Sequence, residues 1–234
     1  MKVCIDAGHS KATLGKRSFD GTLLEYEFNR SVARKLKAIL ERHGVDCIYS
    51  CDLNIETDVS LSTRANTANL AKADLFISIH ANAYGTEWND VTGWEIYVCK
   101  KGGKAEMLAN AIHDASIPYL GLKDRGVKEA NFTVLTKTDM PAVLVEHGFY
   151  TNKLERALLA TDSFREKCAI ADAKGILSYL GINWNDTMPL EKASSWAEES
   201  WGKAAQKGVF DGTNPQGTVT REMLAVILDR LKLL

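Results

Sequence analysis

The 234-residue sequence has almost no net charge: 29 basic and 30 acidic side chains leave −1 at neutral pH. Without a basic field there is nothing to hold a nucleic-acid backbone, so a nucleic-acid partner is not expected. Long apolar runs are missing too. None approaches the ~18 residues a membrane helix requires, and no membrane partner is expected either. The first ten residues, MKVCIDAGHS, do not read as a secretory leader, because their apolar run is short and Asp6 and His9 interrupt it. Synthesis and folding in a cytoplasm, without a signal peptide, is the expectation; action outside the cell would need release by something else. A disulfide framework is also missing. The five cysteines (Cys4, Cys47, Cys51, Cys99 and Cys168) are odd in number and scattered, and read as reduced thiols. Cys47 and Cys51 have no second Cys/His pair to complete a zinc site.

What is present is an ordinary globular composition, 45% apolar and 25% charged. The length suits one sizeable core with or without a small appendage. Residues 2–6 are a short apolar run, read as a buried strand. A polar loop from Ser10 to Gly21 leads to a helix over about 24–43, where Leu24, Phe28, Val32, Leu36 and Ile39 form one apolar face and Gly44 closes the end. Residues 45–50 read as a strand, 62–72 as a helix, 75–79 and 93–99 as strands, and 103–116 as a helix. Residues 131–136 and 142–146 read as strands, and 153–181 as mostly helical. Strands alternating with helices of this length predict an α/β fold with a mostly parallel, twisted sheet flanked by helices. The wholly apolar strands predict a sheet covered on both faces. This unit is expected to span 1–183, followed by a polar linker at 184–193 and a small C-terminal helical hairpin at 194–234.

Sites in open α/β sheets form beyond the carboxyl ends of the strands. Three apolar runs here end in a residue able to bind metal or move protons: KVCIDAG before His9, LFISI before His80, and AVLV before Glu146. Glu25, in the first turn of the following helix, can reach the same rim. Two histidines and a glutamate leave a fourth position open on one zinc ion, where water becomes a nucleophile near neutral pH. A further carboxylate, Glu146, would then move the proton. On pattern alone the set divides evenly between a metal site and hydrogen-bonded loop residues, since no local HExxH signature is present. His43 at a helix end and His113 on a helix surface read as structural, and His147 points to the face opposite Glu146.

With these residues in view, the segments DAGHS (6–10), LLEYEFN (23–29), STRANTAN (62–69), FISIHAN (76–82) and PAVLVEHGFYTN (141–152) resemble the successive motifs of zinc N-acetylmuramoyl-L-alanine amidases of the amidase-3 class. The resemblance covers about residues 1–182. It implies hydrolysis of the amide between N-acetylmuramic acid and the L-alanine of the peptidoglycan stem peptide. By motif, His9, Glu25 and His80 correspond to the zinc ligands and Glu146 to the catalytic glutamate. Arg64 and Asn82 fall in motif positions that order the site or touch substrate. Two departures stand out: HSK follows where the family often has HGG, and Glu27 sits beside Glu25. Asn29, four residues after Glu25, favours Glu25 as ligand; a shifted register would make it Glu27.

The tail from Trp196 to Leu231, with W-A-x-x-x-W, GVFDG and TREMLAVILDR, resembles a single S-layer homology motif. That resemblance implies binding of a secondary cell-wall polymer. A lone unit of about forty residues seldom folds unaided, which also points to homo-oligomerisation through the tail or docking on the catalytic domain. The combination resembles a phage or prophage endolysin. A host autolysin of the same chemistry, a catalytically inactive wall-binding protein and a zinc peptidase are the competing readings.

Overall fold

The computed structural model describes residues 1–185 and, in the tail, residues 199–201, 203 and 228. The chain divides into two compact units, Met1–Trp184 and Asn185–Leu234. The expected linker and helical hairpin lie almost entirely outside the described residues.

The first unit runs β1 (Lys2–Ala7), α1 (Glu25–Arg42), β2 (Asp46–Tyr49), α2 (Leu61–Leu70), β3 (Leu75–Asn82), β4 (Trp94–Val98), α3 (Lys104–Leu120), β5 (Asp124–Glu129), α4 (Thr133–Thr136), β6 (Ala142–Phe149), α5 (Lys153–Leu159) and α6 (Asp162–Leu180). Its six-stranded sheet has the order β2-β1-β3-β6-β4-β5. Every neighbouring pair is parallel except β4 with β6. The expected mostly parallel α/β sheet flanked by helices is therefore the fold.

The helices form two unequal layers. On one face α1, α3 and α6 bury Phe28, Val32, Leu36, Leu108, Ile112 and Cys168 against the odd-numbered side chains of β1, β3 and β6, such as Ile5, Ile77 and Val145. A Cβ on Gly175 of α6 would lie 2.3 Å from the Ile112 Cα of α3, so only glycine permits this close approach. The opposite face has a thinner cover. There α2 and the single turn α4 place Ala68, Val134 and Leu135 over Cys4, Phe76 and Leu144.

One strand assignment needs correction. Residues 131–136 are not a strand: Thr133–Thr136 are helical, and the neighbouring strand is β5, at 124–129. The β-forming residues Phe132, Val134 and Leu135 suggested a strand, but Val134 and Leu135 are buried by one helical turn on the thin face. β5 is a polar edge strand, DRGVKE, with no apolar periodicity to reveal it. The stretch at 153–181 is mostly helical as expected, divided into α5 and α6 where Thr161 caps α6 by accepting from the Phe164 N–H. His113 is also not simply a surface residue. Its Nε2 lies 2.9 Å from Asp124 Oδ1, and its ring packs near Trp94, tying α3 to β5.

Candidate active site

On the thinly covered face the side chains turn from apolar to polar toward the carboxyl ends of the parallel strands. β1 runs Cys4, Asp6 and then Gly8; β3 runs Phe76, Ser78, His80; β6 runs Ala142, Leu144, Glu146. Strand register aligns these endings. His80 is paired with Glu146, and Glu146 with Glu95 of β4. The Gly8 N–H donates to the Ile79 carbonyl at 3.1 Å, which brings the His9 turn to the same level. A cavity of about 310 Å³ opens there, bordered by His9, His80, Glu146, Arg64, Phe132 and Leu144 among others.

His9, Glu25 and His80 converge on one point: one ligand atom from each lies within 4.8 Å of the others. The two imidazole rings meet edge to face with centroids 4.9 Å apart. Glu25 Oε1 is 3.0 Å from His80 Nδ1 and 3.5 Å from His9 Nε2. Glu25 Oε2 is buried without a hydrogen-bond partner, as is Glu146 Oε2. Two buried carboxylate oxygens lacking donors, next to two imidazoles, form a donor set that suits a divalent cation such as zinc. Glu27, the alternative ligand, is exposed and faces away.

Each candidate ligand is held by the fold. Asn29, one turn after Glu25, donates to the Gly8 carbonyl at 2.9 Å, so α1 grips the turn that carries His9. The Glu25 N–H donates to the Lys16 carbonyl at 3.0 Å, which fixes the helix start, and the Lys16 ammonium is 4.0 Å from Glu25 Oε2. His9 itself has φ 61°, a left-handed conformation uncommon outside glycine and maintained by its surroundings. A Cβ on Gly8 would fall 2.1 Å from His80 Cε1, so the His80 ring lies flat on a residue that has no side chain.

Arg64 and Asn82 both hydrogen-bond within the fold around the site. Arg64 Nη1 donates to Asp6 Oδ1 at 2.8 Å and to the Ala7 carbonyl at 2.7 Å, and Nε donates to the Val59 carbonyl at 3.1 Å. Asp6 also accepts from Ser50 and Ser78. Asp6 thus joins β1, β2, β3 and α2 beneath the His9 turn. Asn82 Nδ2 donates to Glu95 Oε1 at 2.7 Å. His147, on the opposite face from Glu146, is fully buried with Nε2 3.1 Å from Asp172 Oδ2 of α6.

The electrostatics divide the acids into two kinds. Burial pushes the Glu146 carboxyl up to about 8, with nearby Glu25 and Glu95 adding to the rise and His80 and Lys16 opposing it. Glu25 is buried more deeply still, yet its hydrogen bond with His80 and charge attraction with the two histidines hold it below its ordinary range. Burial lowers His9 to about 4, leaving a neutral imidazole able to donate a lone pair. One acid is therefore a fixed carboxylate and the other can hold or release a proton near neutrality, the separation that acid–base chemistry uses.

Sequence reading missed Asp6, Lys16 and Glu95. Asp6 and Ser78 were hidden inside runs that looked wholly apolar. Glu95 shares its strand parity with Tyr97, which is visible only once the strand's partner is known.

Residues 3–178 match the family model described as N-acetylmuramoyl-L-alanine amidase. The chain is 37% identical over 190 residues to the endolysin of Bacillus phage SPP1, covering 77% of this chain and 66% of that protein. It is 35% identical over 179 residues to the N-acetylmuramoyl-L-alanine amidase LytC of Bacillus subtilis, covering 76% of this chain and 35% of that protein. The chain thus spans under two thirds of either relative. Among solved structures it resembles the catalytic domain of the amidase CwlV from Bacillus (Paenibacillus) polymyxa var. colistinus, with TM-score 0.72, 33% identity, and coverage of 78% of this chain and 99% of that one. A rim of two histidines, a buried glutamate and a half-buried one, on a fold shared with such a domain and within a family match over three quarters of the sequence, places the chain in the N-acetylmuramoyl-L-alanine amidase family.

Proposed function

We propose that this chain is a zinc-dependent amidase that hydrolyses the bond between N-acetylmuramic acid and the L-alanine of the peptidoglycan stem peptide. The observation that carries this reading is the His9–Glu25–His80 cluster, whose His80 is the strand-register partner of a half-buried, protonatable Glu146. His9, Glu25 and His80 would hold one zinc ion. Such an ion, bound by three protein groups, polarises a carbonyl and makes water nucleophilic near neutral pH.

The chain's own residues do the rest. Glu146 takes a proton from the attacking water as the new C–O bond forms. It returns that proton to the amide nitrogen as the C–N bond breaks and alanine leaves as an amine. Its burial keeps bulk water from levelling its pKa, while Glu25 stays ionised and orients His80. Asp6 and Arg64 hold the His9 turn so that both imidazoles arrive in place before substrate does.

The test is a turbidity assay on purified Gram-positive walls, with metal chelation, zinc restoration and Glu146→Ala, plus identification of the new amino termini. Lysis that needs zinc and Glu146 and frees N-terminal L-alanine supports the reading. Release of peptide carboxylates instead would point to a peptidase, and zinc-loaded protein that lyses no walls would point to a binding protein.

The likeness to a phage endolysin supports an enzyme that reaches the wall after release from the cytoplasm of the cell that made it. For the tail, the reading as an S-layer-homology-like unit that binds wall polymer or self-associates rests on its sequence pattern. Light scattering on the full chain and on residues 1–184 tests self-association; identical monomers would rule it out.

A further inference from the structure

Across the sheet from the histidines, the rim carries an arrangement that the zinc chemistry does not use. Glu95 of β4 is 2% exposed and lies directly opposite Glu146 in the antiparallel ladder, on the same face. Its carboxylate accepts from Asn82, Tyr97, Arg125 and Lys128. Burial alone would raise this carboxyl, but the hydrogen bonds from Lys128, Tyr97 and Arg125 overcome it and hold the group ionised. Two cations thus converge on one carboxylate, leaving the cluster with an excess positive charge.

The donors are not exhausted. Arg125 uses Nε on Glu95 and Nη1 on the Thr92 carbonyl at 3.4 Å, while its Nη2 makes no hydrogen bond among the described residues. The Lys128 ammonium has three N–H groups, and Glu95 takes one. The Arg125 and Lys128 side chains are 28% and 34% exposed, so both remain reachable from solvent. Aromatic groups fix their direction: Arg125 lies over the Phe149 ring, and Lys128 over Tyr97, which in turn meets Phe132 at the cavity.

We propose that Arg125 and Lys128, held by Glu95, bind a free carboxylate on the peptide side of the scissile amide and so set the preferred stem peptide. This rests on the amidase reading above. The excess positive charge and the free planar guanidinium edge suit a carboxylate. On the glycan side the muramic carboxyl is itself consumed in the amide, so free carboxylates belong to the peptide. The pair sits on β5, two strands and about 10 Å from Glu146, and its side chains reach back to Glu95, one strand and about 5 Å away. These distances equal roughly one to three extended residues beyond the scissile bond. The second residue of the stem, the one after L-alanine, is the position committed to.

The test uses two N-acetylmuramoyl pentapeptides differing only in a carboxylate or a carboxamide on that second residue. Wild-type protein is expected to cleave the carboxylate form with kcat/KM roughly tenfold or more higher, the scale of one hydrogen bond to a charged group. Arg125→Gln and Lys128→Met, each leaving Glu95 one cation, are expected to bring that ratio toward one, while Arg125→Lys retains part of it. Calorimetric titration with the corresponding free pentapeptides reads the same preference without turnover. Equal cleavage and equal binding of both forms by the wild type overturns the proposal and leaves the amidase reading intact. A preference that survives both substitutions also overturns it. Selective binding of the carboxylate peptide without cleavage of either substrate would keep this subsite and refute the amidase reading.

Discussion

The rim of the sheet has two halves with opposite chemical deficits. On the β1–β3–β6 side, Glu25, set between two imidazoles, and Glu146 each present a buried oxygen with no donor. On the β4–β5 side, two cations share one buried carboxylate and keep unused donors. The first half lacks a cation and the second lacks an anion, and both lie along one row of register partners. An amide substrate carrying a carboxylate a few ångströms beyond its scissile bond would meet both. The comparison teaches that unsatisfied polar atoms are read best by sign: missing donors call for metal, and spare donors for acid.

The strongest way to break this contrast is to remove a metal-side imidazole. His80→Ala is expected to lower zinc content to background and abolish wall lysis, because Glu25 loses its 3.0 Å partner together with one of the two imidazoles. Metal analysis after gel filtration, beside the lysis assay, checks both. Retained stoichiometric zinc would show that His80 is not a ligand.

Glu146→Gln separates chemistry from metal within the same half. The amide keeps the shape but cannot carry the proton, so kcat should fall by about 10³-fold with zinc content unchanged. Purified muramoyl-peptide turnover is the measurement. A loss of zinc in parallel would assign Glu146 to metal binding instead.

Asp6→Asn asks whether the metal half depends on the buried polar layer beneath it. Arg64 would lose its charge partner in a site only about 2% exposed. Breaking a buried pair in this way costs about 3–5 kcal/mol. Asp6 also predicts a pH signature. Burial would raise its carboxyl, but Arg64, Ser50 and Ser78 hold it below the ordinary range. Its contribution is therefore fully present above about pH 4 and is lost as pH falls through the depressed native value. Denaturant unfolding should show the variant weaker at pH 7 and less sensitive to pH as it falls below about 4. Equal midpoints at neutral pH would show that the Asp6–Arg64 pair adds nothing.

The two halves also differ in how visible they were in the sequence. The metal half sits at the ends of β1, β3 and β6, whose apolar runs are continuous, so His9, His80 and Glu146 stood out as the first polar residues past each run. Glu25 was named from its place in the first turn of the helix after the His9 loop, with Asn29 favouring it over Glu27; in the structure Asn29 reaches from α1 to the Gly8 carbonyl. The cationic half sits on β5, a polar edge strand, so Arg125 and Lys128 looked like ordinary surface charges. The apolar pattern of residues 131–136 drew the expected strand to the wrong segment. Asp6 and Ser78 were obscured for the opposite reason, as polar residues inside strands that otherwise read as core. Periodicity locates an element buried by its neighbours on both faces; it is silent on an edge strand whose inner face is itself a charged site.

The smallest of these expected effects tests geometry within the metal half without removing any polar group. Gly8 has no role in charge or hydrogen bonding beyond its backbone, yet a methyl there would sit 2.1 Å from His80 Cε1 and 2.3 Å from Nε2. The ring cannot stay where it is. It is also tied to Glu25 through Nδ1, so it must rotate about that contact or carry Glu25 with it. Displacing a group that orients a metal ligand typically weakens metal affinity or activity by about 10- to 100-fold. Gly8→Ala should therefore weaken zinc binding by that factor in a chelator competition, with kcat/KM falling in step at limiting zinc and recovering in part when zinc is in excess. The cationic half is untouched by this change, so the carboxylate-to-carboxamide ratio should stay at its wild-type value. A Gly8→Ala protein with unaltered zinc affinity would mean that the imidazole has a second, equally good seat, and that the close packing of Gly8 under His80 is incidental to the site.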